Sequence, residues 1–419
     1  MVLTQPTDRL HYRDALASRE LRALLAAQFV STGGQSIAAV ALTVRVYRET
    51  ASPLLASLTF ALSFLPYLVG GSLLSGLVDR FRPRGLVVGS GFDSALLIAG
   101  LAWPGLPLPI LFALLVASGT LSSISSGARA ALVRDSVPTD AYVPARSLLR
   151  IASQLSQLGG NAGGGALLVI LSPTGVLLVS AAAFACSAVA IRLGVSDHDI
   201  AGERGDERLL KDSWRGAREV LAHPELRRLL LFGWAAPMFS VAPEALAAPY
   251  VAQHHGSAAL VGWWLVALPI GLIAGDYLGV RLLGARQQRR LVAPAALASF
   301  VPYLVFALGP PIPVGMALLV VSGMGGLYVL GLDARVRDAA PPQLFARTMT
   351  VSTGGLMALQ GIGFALAGAV AQAVGPAAAI AIAGGCGLAS TVILLRGDLG
   401  IPGSETVAHD QPYRATPNA

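Results

Sequence analysis

The sequence predicts an all-α membrane protein whose twelve spanning helices form two pseudo-symmetric six-helix bundles. Three observations carry that prediction: an excess of apolar residues, their grouping into twelve long runs, and the confinement of basic residues to alternate connections. Of the 419 residues, 54% are apolar and only 13% charged. The mean hydropathy is +0.65. A water-soluble fold of this size could not bury so much apolar surface, because folded proteins stay partly wetted. Lipid is the fitting solvent.

A helix needs about 20 residues to cross a hydrocarbon core about 30 Å thick. Runs of that length lie at 22–46, 52–78, 85–103, 107–131, 145–171 and 174–192, here numbered spans 1 to 6. Spans 7 to 12 lie at 226–251, 258–283, 291–308, 314–332, 347–373 and 377–395. The runs are continuous and lack the alternation of barrel strands, which leaves helices as the spanning element.

Charge sets the orientation. With both ends in the cytoplasm, 28 of the 30 basic residues fall on the cytoplasmic side, and only Arg45 and Arg48 fall outside. That asymmetry is the positive-inside pattern. The net charge of +7 is therefore topological, and no nucleic-acid partner is implied. Cys186 and Cys386 both sit in apolar runs, so neither a disulfide framework nor a metal site is expected. The polar first 21 residues read as a cytoplasmic tail without a cleavable leader pattern. The expected location is a bacterial cytoplasmic membrane.

The longest polar stretch, 193–225, separates a first bundle at 22–192 from a second at 226–396, with a tail at 397–419. Its amphipathic part is expected to lie along the cytoplasmic surface. The halves repeat one another. VRDSVP (Val133–Pro138) follows span 4, and VRDAAP (Val336–Pro341) follows span 10. Ala145-Arg146-Ser147 then matches Ala346-Arg347-Thr348. Two matches in corresponding loops argue for duplication, the architecture of carriers that rock around a central site.

The loop between spans 2 and 3 reads Ser75-Gly76-Leu77-Val78-Asp79-Arg80-Phe81-Arg82-Pro83-Arg84. It resembles the signature loop of the major facilitator superfamily, with Asp79, Arg80 and Arg84 matching and Ser75 and Arg82 replacing glycines. The resemblance implies that Asp79 faces a helix start near Arg347 in the other half, where a carboxylate meets the positive end of a helix dipole. Asp79, Arg80, Arg84 and Arg347 are then a conformational latch. The corresponding loop after span 8 carries Leu283 at the aspartate position, so the latch is one-sided. In span 5, Gly159-Gly160-Asn161-Ala162-Gly163-Gly164 is similar to the glycine element of the family's antiporters, with Gly160 in place of proline. Gly159, Gly160, Gly163 and Gly164 either form that bend or allow ordinary close helix packing. The mid-membrane arginine often present in span 4 of proton antiporters is absent, and Arg129 lies nearer the cytoplasmic end.

Charge inside a membrane costs several kcal/mol, about 3 or more for a central residue, so Asp93, Glu244 and Asp276 are candidates for proton coupling. Asp93 lies about 12 Å into span 3. Glu244 follows Pro237 and Pro243 and precedes Pro249, in a span that such prolines break. Asp276 is near the inner end of span 8, by Arg281. The family likeness places spans 1, 4, 7 and 10 around a central cavity, helped by 5, 8 and 11. Gln28, Gln35, Gln157, Asn161, Trp234, Phe239, Tyr328 and Gln360 are the expected lining; each alone also fits helix-to-helix bonding. Trp263 and Trp264 open span 8 as expected interfacial anchors.

No phosphate-cradling loop and no catalytic or metal cluster is recognisable, so neither an enzyme nor an ATP-driven pump is expected. No cofactor is expected beyond the proton gradient as energy source. The expected function is export of a small hydrophobic or amphipathic molecule by proton antiport, with substrate, protons and lipid as partners and a monomer as the working unit. An uptake carrier or uniporter, and a non-transporting sensor or scaffold, are the alternatives. Dissipating the gradient raises cellular substrate for an exporter and lowers it for an uptake carrier.

Overall fold

A computed structural model describes residues 18–73, 82–136, 142–196, 217–341 and 344–396. Helices occupy all twelve expected segments, and there is no strand among the described residues. Spans 1 to 6 are Arg19–Thr50, Pro53–Leu73, Pro83–Leu101, Leu108–Ser136, Tyr142–Ile170 and Pro173–Gly194. Spans 8, 11 and 12 are Ala258–Leu282, Phe345–Val374 and Pro376–Leu394. Local chemistry sets many of the starts: the Ser18 hydroxyl accepts from Leu21 N–H at 3.2 Å, and Pro83, Pro173 and Pro376 sit in the first turn, where a missing N–H costs nothing. Gly375, at φ 85°, makes the tight turn between spans 11 and 12, in a backbone region that side chains disfavour.

Spans 7, 9 and 10 are interrupted. Span 7 comprises Pro224–Ser240, Ala242–Ala245 and Ala247–Gln253, with a 42° bend before the last piece. Pro237, Pro243 and Pro249 each remove a donor from the ladder. Carbonyls at the break find side-chain donors instead: Tyr303 Oη bonds to Ser240 O at 2.9 Å and Trp264 Nε1 to Pro243 O at 2.8 Å. Span 9 is Val292–Leu304 closed by a 3-10 turn, Val305–Leu308, and span 10 breaks between Ile312–Gly325 and Tyr328–Ala339.

Eight described helices are long and apolar enough to cross a membrane by length and composition, and the bent pair of span 7 would make nine. The remaining three segments fall short for visible reasons. Span 5 carries Arg150, Gln154, Gln157 and Asn161 along its length. The apolar helices of spans 2 and 9 are shorter, at Pro53–Phe64 and Val292–Leu308.

Packing divides the spans into two bundles. In the first, span 1 packs on spans 5 and 6, span 3 on 4 and 6, and span 2 on 4; in the second, span 7 packs on 11 and 12, span 9 on 10 and 12, and span 8 on 10. The main contacts between bundles pair span 2 with 11 and span 5 with 8, which are equivalent pairs under the internal repeat. Among the described residues, the hydrogen bonds, stacked rings and close backbone contacts between bundles lie toward the arginine-poor end. Ser52 Oγ bonds to Gln372 Oε1 at 2.8 Å, and the Phe60 and Phe364 rings stack at 5.2 Å. Span 5 meets span 8 at Gly165 and Gly262, where neither residue has room for a β-carbon. At the arginine-rich end the first bundle's core of Leu21, Leu24, Val87, Leu132 and Ile191 draws on that bundle alone.

Arg45, one of the two arginines expected on the outer side, is 5% exposed. It bonds Leu101 O at 2.6 Å, Trp103 O at 3.0 Å and Glu49 at 2.8 Å, tying span 1 to the end of span 3. The two tryptophans of span 8 differ from the expectation. Trp263 is 50% exposed and fits an anchor, whereas Trp264 is 1% exposed and packs on Tyr250 and Phe306. Neighbours on a helix point about 100° apart, so the pair could not share one lipid-facing surface.

Candidate substrate cavity

A cavity of about 670 Å³ lies inside the first bundle, between spans 1, 3, 4, 5 and 6. Hydroxyls recur in its wall: Ser31 and Thr32 from span 1, Ser90 and Ser94 from span 3, Ser122, Ser125 and Ser126 from span 4, Ser153 from span 5 and Ser187 from span 6. Gln28, Gln35, Arg129 and Arg150 complete the polar lining. Phe184 supplies an aromatic face.

Gln28 organises this wall. Its amide nitrogen donates to Thr32 at 3.0 Å and to Ser153 at 2.9 Å, and its carbonyl oxygen accepts from Arg129. Arg129 also donates to Ser31 at 3.3 Å. One amide thus joins spans 1, 4 and 5. Spans 1 and 5 are held close beside it by Gly160, which abuts Gly33 and Ser36, and by Gly164, which abuts Ile37 and Val40. Gly159 and Gly163 face open space. Span 6 closes the wall: Ser187 Oγ donates to Ala27 O at 2.8 Å and Ser180 Oγ to Gly34 O at 2.6 Å, both on span 1.

The other sequence candidates scatter. Gln28 and Gln35 line the cavity, but Gln157, Asn161 and Gln360 do not. Gln157 is exposed, Asn161 is buried at the crossing of spans 5 and 8, and Gln360 is half-buried. Trp234, Phe239 and Tyr328 belong to the second bundle's core. Trp234 Nε1 donates to Ser352 O at 2.9 Å, and the Tyr328 ring meets Phe232 edge-on at 5.5 Å. The hydroxyl wall and the two lining arginines were absent from the expected pocket. Its signal was the run Ser122-Ser123-Ile124-Ser125-Ser126, unusually polar for a span and followed by Arg129.

Of the three intramembrane acids, Asp93 is exposed on span 3, turned from the face of Val87, Ser90, Gly91 and Ser94 that lines the cavity. Glu244 lies in the central piece of broken span 7, which touches span 2 of the first bundle and spans 11 and 12 of its own. No hydrogen bond or ion pair reaches its carboxylate among the described residues, and the Tyr303 phenol is near it. Asp276 is half-buried, with Oδ1 enclosed and without a hydrogen-bond partner. Arg281, expected near it, bonds the Tyr277 hydroxyl at 2.5 Å.

Of the latch residues, Asp79 and Arg80 lie outside the described residues. Arg84 donates to Arg192 O at 2.5 Å, tying span 3 to span 6. Arg347 pairs with Glu219 at 2.9 Å, both half-exposed. Arg289 and Asp338 form a similar pair at 2.7 Å beside the second copy of the repeat.

Comparison with known proteins accords with this architecture. The family model described as Major Facilitator Superfamily matches residues 24–244, over half of the chain. The chain is 25% identical to the multidrug efflux pump Tap of Mycolicibacterium fortuitum over 377 residues, covering 84% of this chain and 89% of that one. Among solved structures, the nucleoside transporter NupG superposes with a TM-score of 0.72 at 13% identity, covering 90% of this chain and 99% of that one. A POT family transporter in complex with a thioalcohol-conjugated peptide gives 0.70 at 13% identity, covering 90% and 96%. A bacterial homologue of the lysosomal transporter Spinster, inward-facing and unoccupied, gives 0.67 at 14% identity, covering 94% and 96%. A non-enzymatic, multi-pass membrane transporter, this chain belongs to the Major Facilitator Superfamily.

Proposed function

We propose that the protein exports a small amphipathic molecule across the cell membrane in exchange for protons, by alternating access. The observation that carries this reading is the serine-lined cavity of about 670 Å³ in a transporter whose bundles, among the described residues, are joined toward the arginine-poor end. The arginine-rich end is assigned to the cytoplasm on the positive-inside pattern, with both termini on that side. A substrate then enters from the cytoplasm, its polar groups meeting the serine wall and the Gln28–Arg129 pair. Rocking of the bundles opens the joint between spans 2 and 11 and between spans 5 and 8. Likeness to a multidrug efflux pump supports the outward direction.

Glu244 is the proposed proton carrier. It sits where span 7 touches span 2, at the joint that must part. A carboxylate without a cationic partner in such a place is costly, and its protonation changes the energy of opening that joint. Asp93, turned from the cavity, has no comparable position.

Inverted membrane vesicles incubated with a panel of drugs and natural products test the reading. Accumulation of a panel member that collapses when an ionophore dissipates the pH gradient supports proton-coupled export. Accumulation only in right-side-out vesicles identifies an uptake carrier. Binding without movement across the whole panel identifies a sensor or scaffold.

A further inference from the structure

Spans 5 and 8 run antiparallel and touch at Gly165 and Gly262 near the arginine-poor end. That contact fixes what faces what at the opposite end. Arg150 lies fifteen residues before Gly165, and Asp276 fourteen residues after Gly262. At 1.5 Å per residue both lie about 21–23 Å from the crossing, at matching depth. At 100° per residue, Arg150 is turned about 60° from Gly165 and Asp276 about 40° from Gly262. Both therefore project within a quarter-turn of the contact line.

The chemistry at that depth is complementary. Arg150 is exposed in the cavity wall and belongs to the first bundle. Asp276 presents an enclosed Oδ1 with no hydrogen-bond partner. Asp333, on the second helix of span 10, is exposed, and its charge acts on Asp276. The Arg150 charge acts on both carboxylates across the bundle boundary, although no ion pair within 4 Å joins them. Arg337 acts on Asp333 from its own helix. The repeat does not require this arrangement for packing. Alignment of Ala145-Arg146-Ser147 with Ala346-Arg347-Thr348 sets Arg150 opposite Val351, so the equivalent pair of spans 11 and 2 lacks the cation.

We infer that Arg150 is the coupling residue of the transport cycle: when the bundles close at the arginine-rich end, its guanidinium pairs with Asp276 and Asp333 of the opposite bundle. In the state seen here Arg150 forms no ion pair with either carboxylate and lines the cavity instead. One guanidinium is thus shared between the cavity wall and the gate, and a planar fork of five donors suits two carboxylates. This inference rests on the alternating-access reading, but its test needs neither substrate nor proton gradient.

The test measures how often the cavity opens toward the arginine-rich end. Cys186 and Cys386, both exposed, are replaced by serine, and Ser125→Cys places a single thiol in the cavity. Inverted vesicles are then treated with a membrane-impermeant maleimide and the labelling rate is followed. Arg150→Gln and Asp276→Asn each raise the rate about two- to fivefold, the range that a partly exposed ion pair supports. The exchanged pair Arg150→Asp with Asp276→Arg returns it toward the parent. Asp333→Asn gives a smaller rise and stands in for any variant that fails to reach the membrane. Unchanged rates in the single variants, or an exchanged pair that labels faster than either single, overturn the inference. A vesicle assay that finds no proton-driven export would leave these rates, and this pairing, unaffected.

Discussion

Gly165 and Gly262 meet backbone to backbone where the two bundles cross: a β-carbon on Gly165 would lie 2.6 Å from Ala259 O and 2.8 Å from Gly262 Cα. Without a hydrophobic drive between helices in lipid, this closeness is what allows dispersion contacts to hold the joint. Gly262→Leu should therefore push spans 5 and 8 apart and cost about 1–3 kcal/mol, as overpacking does. Thermal unfolding in detergent reads the loss. A variant as stable as the parent would mean that the crossing does not hold the bundles together.

Trp264 and Trp263 separate a packing role from a lipid-facing one. Trp264 fills the corner between Tyr250 and Phe306 and donates to Pro243 O, a carbonyl within the break of span 7. Trp264→Ala should cost about 3–5 kcal/mol, because it leaves both a cavity and an unpaired carbonyl. Trp263→Ala, on the exposed face, should change unfolding by less than about 0.5 kcal/mol. The comparison is read from melting curves of the two variants in one detergent. Equal losses would contradict the burial difference.

What was legible beforehand divides along physical lines. Apolar length located a helix at every one of the twelve segments, since the membrane imposes that length whatever the fold. The prolines of span 7 announced its break, because a missing donor acts locally. The cavity was not legible, as it depends on which faces five helices turn toward one another. Gln28 and Gln35 were found because glutamine in a span is conspicuous. Ser90 was not, because a lone serine can satisfy itself on its own helix, as it does on Val87 O at 3.1 Å, and Ser187 was not, because its acceptor, Ala27 O, lies on another span. The pairing of depths between Arg150 and Asp276 required the crossing at Gly165, a long-range contact that no local pattern encodes.

Gln28 is the test of whether the first-bundle cavity binds substrate. Gln28→Leu preserves bulk but removes the acceptor for Arg129 and the donor shared by Thr32 and Ser153. Hydrogen bonds to charged groups contribute about 1.5–3 kcal/mol. If the wall is pre-set for ligand, affinity for a panel compound that the parent transports should fall about tenfold or more. Isothermal titration of the purified variant measures it. Unaltered affinity would move the binding site elsewhere, toward the boundary between the bundles.

Glu244→Gln separates proton coupling from movement itself. Glutamine keeps the size and hydrogen-bonding capacity of the acid but cannot take up or release a proton at any working pH. If Glu244 carries the exchanged proton, the variant should no longer accumulate substrate against its gradient when a pH difference is imposed across proteoliposomes. Exchange of labelled for unlabelled substrate at equal concentrations requires only rocking of the loaded protein, so it should persist. The two assays discriminate sharply, because a residue that merely supports the break in span 7 would depress both. Gradient-driven accumulation that survives in Glu244→Gln would remove the carboxylate from the coupling step, and loss of both activities would assign it to the structure of the joint between spans 7 and 2.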